Sequence, residues 1–405
     1  MIHTVLEKRV VRVLTFAQIL NGIGVAGTVA AGSLLVSSIT HSDSLAGLAQ
    51  TSAVLGAAAM ALPLSRLTER GGRRLALSIG YVIGVIGASL AIIGGTSRVI
   101  SVLLFGTFLL GAASAAGYQA RFAAVDLASA DTRSRSLSIV VWGSTVGAVS
   151  GPNLMEPAGM LAHALGLPKL VGPYLLAVAT LALSALIIFY FLRPDPYLTS
   201  RHIASVGVES DTRVSTRSTL KRIRKNSPAL FAVVSIAVGH LSMVTIMVMT
   251  PIHMAHVDVT LSVIGIVIST HIAGMYVLSP IVGYFSDKIG RKRVIQIGLA
   301  ILLLAALIAG NSAGDSTITL GIGLFLLGVG WSCTLIAGSA LLSESVGDEE
   351  RAASQGASDF IMNLTGAIGG VMAGIIIALL SYGWLCALAS LPVLLLAAWS
   401  YRLGK

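Results

Sequence analysis

Gly283-Tyr284-Phe285-Ser286-Asp287-Lys288-Ile289-Gly290-Arg291-Lys292-Arg293 is a short charged turn between two long apolar runs, near 260–285 and 294–313. An acid, a glycine and a knot of bases in so few positions mark where one apolar segment stops and the next begins. Working outward, the same grammar recurs at Ser65-Arg66-Leu67-Thr68-Glu69-Arg70-Gly71-Gly72-Arg73-Arg74. Aligning Gly72 with Gly290 sets Glu69 against Asp287 and Arg73 against Arg291. A chain that repeats one turn in this way is built from two related halves, a construction common in membrane proteins that move solutes.

The rest of the chain fits that construction. Hydrophobic residues make up 55% and charged residues 11% of the 405, and the mean hydropathy is +0.89. This excludes an ordinary water-soluble domain. Twelve apolar runs reach bilayer-crossing length: about 10–38, 43–65, 73–96, 99–124, 136–162, 171–192, 229–254, 260–285, 294–313, 316–343, 352–381 and 383–402. The expected fold is an all-α membrane protein with twelve transmembrane helices in two pseudo-symmetric six-helix halves, residues 1–192 and 229–405. A basic cytoplasmic linker, 193–228, joins them and carries a short surface helix near 218–226. The first run follows Lys8, Arg9 and Arg12 but is too long for a secretory leader, so it reads as a retained span.

The net charge of +10 is topological. With both termini cytoplasmic, 24 of the 27 Lys and Arg fall on that side; Arg98 and Lys169 fall outside and Arg121 lies near the inner end of span four. That is the positive-inside pattern, and it leaves no basic surface for nucleic acid. Lys221 to Lys225 is placed against anionic headgroups, so the lipid bilayer is one partner. Cys333 and Cys386 fall inside spans and read as small packing residues. No nucleotide loop, carboxylate pair or nucleophile triad is placed for chemistry, so neither an enzyme nor a cofactor is expected.

The pattern G-x-x-x-D-[RK]-x-G-R-[RK]-[RK] resembles the loop signature of the major facilitator superfamily, and the resemblance covers essentially the whole chain. It implies the facilitator fold and a cytoplasmic latch formed by Glu69, Arg73, Asp287 and Arg291, joined by Arg121 and Asp126 near the inner end of span four. A loop carboxylate at a helix end among Arg and Lys suits a switchable contact. The first copy departs from the pattern, with Ser65 for Gly and Glu69 for Asp. Arg121 and Asp126, with Asp131, Arg133 and Arg135, are also open to a proton-coupling or substrate-charge reading. Asp359 shares a face of span eleven with Gln355 and Asn363 and is either a functional carboxylate or a shallow interhelical contact. Gly143-x3-Gly147-x3-Gly151-Pro152 permits close helix approach. It resembles the antiporter motif of drug-exporting facilitators, with Met155-Glu156 in place of the usual glycines.

A second feature lies in the window 240–275, which holds four of the eight histidines and five of the eleven methionines. Met243 and Met247 sit one helical turn apart in span seven, as do His271 and Met275 in span eight. His240 continues the span-seven stripe. Methionine alone in a span is ordinarily core filler, but thioethers with imidazole form a site for Cu(I) rather than a hard cation. Treating the two spans as antiparallel neighbours about a loop centred near Val257 sets His271 level with Met243 and Met275 level with His240. Met247 then lies about 6 Å further out, with His253, Met254 and His256 at the outer mouth. Asp258 belongs to the outer loop.

Met243-x3-Met247 with His271-x3-Met275 resembles the MxxxM and HxxxM pairs of the CcoA-like copper importers, a facilitator branch. The resemblance implies copper as transported substrate, bound by Met243, Met247, His271 and Met275. Copper would cross the bacterial inner membrane, reach a cytoplasmic copper chaperone and supply haem–copper cytochrome oxidase assembly. The alternatives are a proton-coupled transporter of small organic molecules, by drug efflux or riboflavin-like uptake, and a copper-sensing receptor.

Overall fold

The computed structural model describes residues 2–41, 45, 47–204, 216–255, 261–313, 315–347 and 349–402. These residues are almost wholly helical. Helices α1 (Ile2–Thr40), α2 (Leu48–Ser97), α3 (Ile100–Ala123), α4 (Arg133–Asn153), α5 (Met155–Ala164) and α6 (Gly172–Phe191) build the first part of the chain. Two short helices follow, α7 (Pro196–Ala204) and α8 (Thr216–Lys225). Then come α9 (Ser227–Ala255), α10 (Leu261–Tyr276), α11 (Ser279–Ile289), α12 (Arg291–Gly310), α13 (Thr317–Ser345), α14 (Arg351–Leu379) and α15 (Tyr382–Arg402). Backbone in lipid is satisfied by helices or by closed barrels, and runs that are continuously rather than alternately apolar take the helical solution.

Ten stretches among the described residues are long and apolar enough to cross a membrane, against the twelve expected. The difference has two physical causes. Helix α2 counts once although Gly72 inside it has φ +81° and is not helical. Its two arms pass α3 in opposite directions. Gly56 packs on Phe108 and Gly111 on Ala57 along the first arm, whereas Gly80 meets Ala116 and Gly94 meets Leu103 along the second. Gly72 therefore reverses the chain, and the two arms are the second and third expected spans. The fifth expected span is divided between α4 and α5 at Leu154, and neither piece alone is both long and apolar enough to cross a membrane.

The helices cluster into two compact units. One comprises Met1–Ala128, Ile139–Thr216 and Asp348–Phe360; the other comprises Ser129–Ser138, Arg217–Gly347 and Ile361–Lys405. Each thus takes a short segment from the other half of the sequence. In the first unit, α1, α2, α3 and α6 enclose Leu14, Leu77, Tyr81, Leu103 and Tyr174. The glycine stripe of α4 lies on α1: Cβ atoms would fall 3.0 Å from Thr15 O at Gly143, 2.3 Å from Gly22 Cα at Gly147 and 2.6 Å from Ala26 Cβ at Gly151. Small residues spaced by four bring the two backbones together. In the second unit α13 is the central element, with α9, α10 and α12 packed along it and Trp331 buried at its middle.

Candidate functional site

In the first unit the charged cluster forms around Arg73, which is fully buried. Arg73 Nε donates to Asp126 Oδ2 at 2.8 Å and Nη2 to Oδ1 at 3.3 Å, a fork-on-carboxylate pair. Nη2 also donates to Gln355 Oε1, and the guanidinium carbon lies 5.7 Å from the Tyr197 ring centre. Burial pushes the Asp126 carboxyl above the ordinary carboxylate range, with Arg73 pulling the other way. Arg121 forms a second pair, with Nη2 2.5 Å from Asp359 Oδ1 and both side chains about 1% exposed. Asp359 is therefore an interhelical partner of Arg121. The Glu69 carboxyl does not join Arg73; its Oε1 is buried without a hydrogen-bond partner.

Asp195 anchors this cluster from outside the expected set. Its carboxylate accepts the backbone N–H of Tyr197 at 3.0 Å and of Leu198 at 3.1 Å, capping α7. It also accepts the N–H of Arg74 at 2.7 Å. The absence of a side chain at Gly72 makes room for it, because a Cβ there would fall 2.4 Å from Asp195 Oδ2.

The second copy of the turn belongs to the second unit. Asp287 accepts the N–H groups of Ser134 at 3.0 Å and Arg135 at 2.8 Å. These are unsatisfied donors of the first turn of α4, where the helix dipole also favours an anion. Arg291 lies 3.0 Å from Asp287 and 2.8 Å from Glu344, and donates to Ala130 O. Arg133 adds a contact to Glu344 at 3.6 Å. Glu344 was not among the expected residues, yet the repeat points to it: positions 73 and 291 are 218 apart, as are 126 and 344. The pairs Arg73–Asp126 and Arg291–Glu344 are one contact made twice.

The Met/His stripe lies in the second unit. Met243 and Met275 are buried, Met247 is half-buried, and His240 and His271 are buried. Helices α9 and α10 touch each other sparsely and both lie along α13. Gly239 packs on Thr334 and Gly338 on Ile236, so α9 runs antiparallel to α13. Gly274 packs on Phe325 and Gly328 lies beneath the His271 and Met275 backbone, while Ser279 meets Ser332, so α10 runs parallel to it. Continuing these registers brings Met243 beside about residue 330 and Met247 beside about residue 326. His271 is then level with Met247, and Met275 with Met243. The expected pairing is displaced by one turn because α13, rather than a shared loop, sets the register. At the outer end His253 stacks on Tyr382 with centroids 4.2 Å apart, and Met254 is buried. His256 and Asp258 lie outside the described residues.

The two inner histidines differ chemically. Leu324 O lies 2.8 Å from His271 Nδ1. A carbonyl only accepts, so Nδ1 carries the proton and Nε2 holds the lone pair. That Nε2 is buried and has no hydrogen-bond partner. For His240 the assignment reverses: Trp331 Nε1–H donates to Nδ1 at 3.1 Å, so the lone pair is already engaged. Its Nε2 side abuts α14, where a Cβ at Gly366 would fall 2.7 Å away. Trp331 also meets the Tyr276 ring edge-to-face at 5.7 Å. Among the described residues no group of three His, Cys, Asp or Glu side chains is placed to hold a metal ion.

A third polar group was missed in the sequence because its members are single amides in otherwise apolar runs. Gln18 and Asn21 of α1 lie over Gly117 of α3, where a Cβ would fall 2.5 Å from Asn21 Nδ2 and 3.1 Å from Gln18 Oε1. Gln18 Nε2 donates to Ser144 Oγ at 2.8 Å.

Known proteins resemble this one along its whole length. Bacillus subtilis (strain 168) has the uncharacterized MFS-type transporter YdeG, 38% identical over 377 residues, covering 93% of this chain and 87% of its own. The riboflavin transporter RfnT of Brucella anthropi is 26% identical over 383 residues, covering 93% of this chain and 90% of its own. Among solved structures, the human organic anion transporter MFSD10 (TETRAN) superposes with a TM-score of 0.74 at 18% identity, over 96% of this chain and 98% of its own. A bacterial homologue of the iron transporter ferroportin gives 0.73 at 12% identity, over 98% of this chain and 99% of its own. At those identities the likeness is one of fold. These relatives are transporters rather than enzymes. The family model for the Major Facilitator Superfamily matches residues 14–255 and 233–404, and the chain belongs to that family as a multi-pass membrane transporter.

Proposed function

We propose that this chain is a secondary transporter of a small, neutral, planar organic solute of flavin size. The observation that carries the reading is the His240–Trp331 hydrogen bond. It turns the inner end of the Met/His stripe from a ligand set into an aromatic wall of Trp331, Tyr276 and the His240 ring. Helices α9 and α10 alone offer too few aromatic groups for a planar ring, and α13 supplies what they lack. The two most deeply buried arginines, Arg73 and Arg121, are each matched by a carboxylate, so neither calls for an ionic solute. The likeness to a riboflavin transporter over 93% of the chain supports the same reading. The distribution of Lys and Arg favours an inner-membrane orientation with both termini cytoplasmic.

One observation favours a second reading, Cu(I) uptake. The lone pair of His271 Nε2 is buried and unpartnered, with its tautomer fixed by Leu324 O. A carbonyl behind an imidazole is the usual support of a metal-binding histidine. Met275 follows one turn on, and Met243 and Met247 lie at matching levels. His240 takes no part in such a set while Trp331 holds it. Copper would be the cargo and a cytoplasmic copper chaperone the receiver.

Uptake into proteoliposomes separates the two. Labelled riboflavin and radioactive copper under reducing conditions are offered to wild type and to Met243→Leu/His271→Leu. Saturable riboflavin uptake without copper uptake supports the organic reading. Copper uptake lost in the double variant, with no riboflavin uptake, replaces it with the second.

A further inference from the structure

Within the first unit, helices α1, α3 and α4 cross at a point where their side chains are polar and uncharged. Asn21 is 5% exposed and its Oδ1 has no hydrogen-bond partner. Gln18, one turn away on the same face, donates through Nε2 to Ser144 Oγ at 2.8 Å, and its Oε1 is buried without a partner. Thr145 Oγ1, beside Ser144, is buried and unpartnered too. Two such atoms on amides one turn apart are unusual, because buried polar groups in native proteins are almost always satisfied. Asn21 lies about 14 Å along α1 from Arg12, deep in the span. Gly117 beneath the two amides leaves their heads room that any side chain would fill. Arg121, one turn further along α3, is engaged with Asp359.

We propose that Gln18, Asn21 and Ser144 form a binding subsite for the alternating carbonyl and N–H edge of a neutral heterocycle, such as a cyclic imide or ureide. A primary amide carries a donor and an acceptor side by side, so two of them match an edge that presents N–H between carbonyls. Gln18 Oε1 and Asn21 Oδ1 are acceptors for the ring N–H, and the Asn21 amide N–H donates to a ring carbonyl. Ser144 holds the Gln18 head in place. A charged solute gains nothing here, since the subsite presents dipoles only. The assignment rests on the organic-solute reading above and names the part of the solute that is recognised.

The test compares uptake of riboflavin with its N3-methyl analogue, in which the ring N–H is blocked. Wild type is expected to favour riboflavin by about tenfold or more, the discrimination of a site that loses one buried hydrogen bond. Asn21→Leu is expected to raise the riboflavin KM by a similar factor and that of the methyl analogue by less, because the analogue has only the carbonyl contact to lose, so that discrimination falls. Ser144→Ala is milder for folding and is expected to weaken discrimination about threefold with kcat unchanged. If Asn21→Leu and Ser144→Ala, both monodisperse after purification, keep the wild-type KM and discrimination, the subsite is wrong and the organic reading stands. If folded wild type takes up neither riboflavin nor a simpler imide ring such as uracil, the organic reading falls and the subsite with it.

Discussion

Ser65 on α2 lies against Gly356 on α14, so closely that a Cβ at position 356 would fall 2.3 Å from the Ser65 hydroxyl oxygen. In the other unit Gly283 on α11 lies against Ser138 on α4, where a Cβ would fall 2.2 Å from the Ser138 hydroxyl oxygen. The positions correspond across the repeat, 65 with 283 and 138 with 356, but glycine and serine have changed places. The contact needs one bare backbone and one hydroxymethyl group, and it is indifferent to which helix supplies each. The serine that departs from the loop signature is thus compensated on its neighbour.

This exchange gives a direct test. Gly356→Ser places two hydroxymethyl groups in the space for one, and overpacking of that kind costs about 1–3 kcal/mol. Ser65→Gly/Gly356→Ser recreates the arrangement of the second unit and is expected to recover most of the loss. The thermal unfolding midpoint of the purified protein reports both. A double variant no more stable than the single one would show that the contact is not interchangeable.

The paired carboxylates differ in how much they matter. Asp126 and Arg73 are both fully buried, whereas Glu344 is 27% exposed and Arg291 10%. Removing one partner of a buried pair leaves an uncompensated charge and costs about 3–5 kcal/mol. Removing a partly solvated partner costs about 1 kcal/mol or less. Asp126→Ala is therefore expected to lower the unfolding midpoint several times more than Glu344→Ala, although the two residues are equivalent in the repeat. Equal losses would overturn the ranking.

Gly72 and Gly290 offer a similar contrast. Both have positive φ, +81° and +97°, with extended ψ of 175° and 145°, and an alanine at either is strained by about 1–3 kcal/mol. At Gly290 a Cβ meets nothing within 4 Å, while at Gly72 it meets the Asp195 carboxylate. Gly72→Ala must also displace the cap of α7. It is expected to destabilise by at least about 1 kcal/mol more than Gly290→Ala. Cleavage within α7 by a protease added to the purified protein should rise in Gly72→Ala and stay unchanged in Gly290→Ala.

The sequence made the helical architecture and the Asp287–Arg291 turn legible because both are written in contiguous residues: long apolar runs, and one acid among bases. Asp126 and Arg121 were legible as charges at the end of a span, but their partners were not. A helical sequence states which residues share a face, and it does not state which helix that face meets. Arg73 therefore found Asp126 rather than Glu69, and Asp359 found Arg121 across 238 positions. The register of the Met/His stripe failed for the same reason, since it assumed that consecutive spans are neighbours while α13 lies along both. Asp195 was within reach of a sequence reading, as an Asp before Pro196 at the start of a helix. The amides of Gln18 and Asn21 were not, because a single polar residue in a span carries no periodic signal.

The Arg121–Asp359 pair separates stability from function. Both side chains are about 1% exposed at 2.5 Å, and Arg121 also lies over the Phe122 ring at 4.4 Å. Arg121→Met or Asp359→Leu alone leaves a buried charge and is expected to cost about 3–5 kcal/mol. Arg121→Met/Asp359→Leu removes both charges and fills the space with apolar atoms, which is commonly neutral or stabilising. The cycle should show a coupling energy of at least about 2 kcal/mol. If the pair only fastens helices together, the double variant transports as wild type does. If protonation of Asp359 releases Arg121 during the transport cycle, the double variant is stable yet its uptake no longer responds to an imposed proton gradient. Binding of solute at equilibrium, measured without a gradient, should remain in either case, because neither residue belongs to the amide subsite. The expected result is a stable, binding-competent protein whose uptake has lost its dependence on the gradient, and an unchanged gradient response would assign the pair to packing alone.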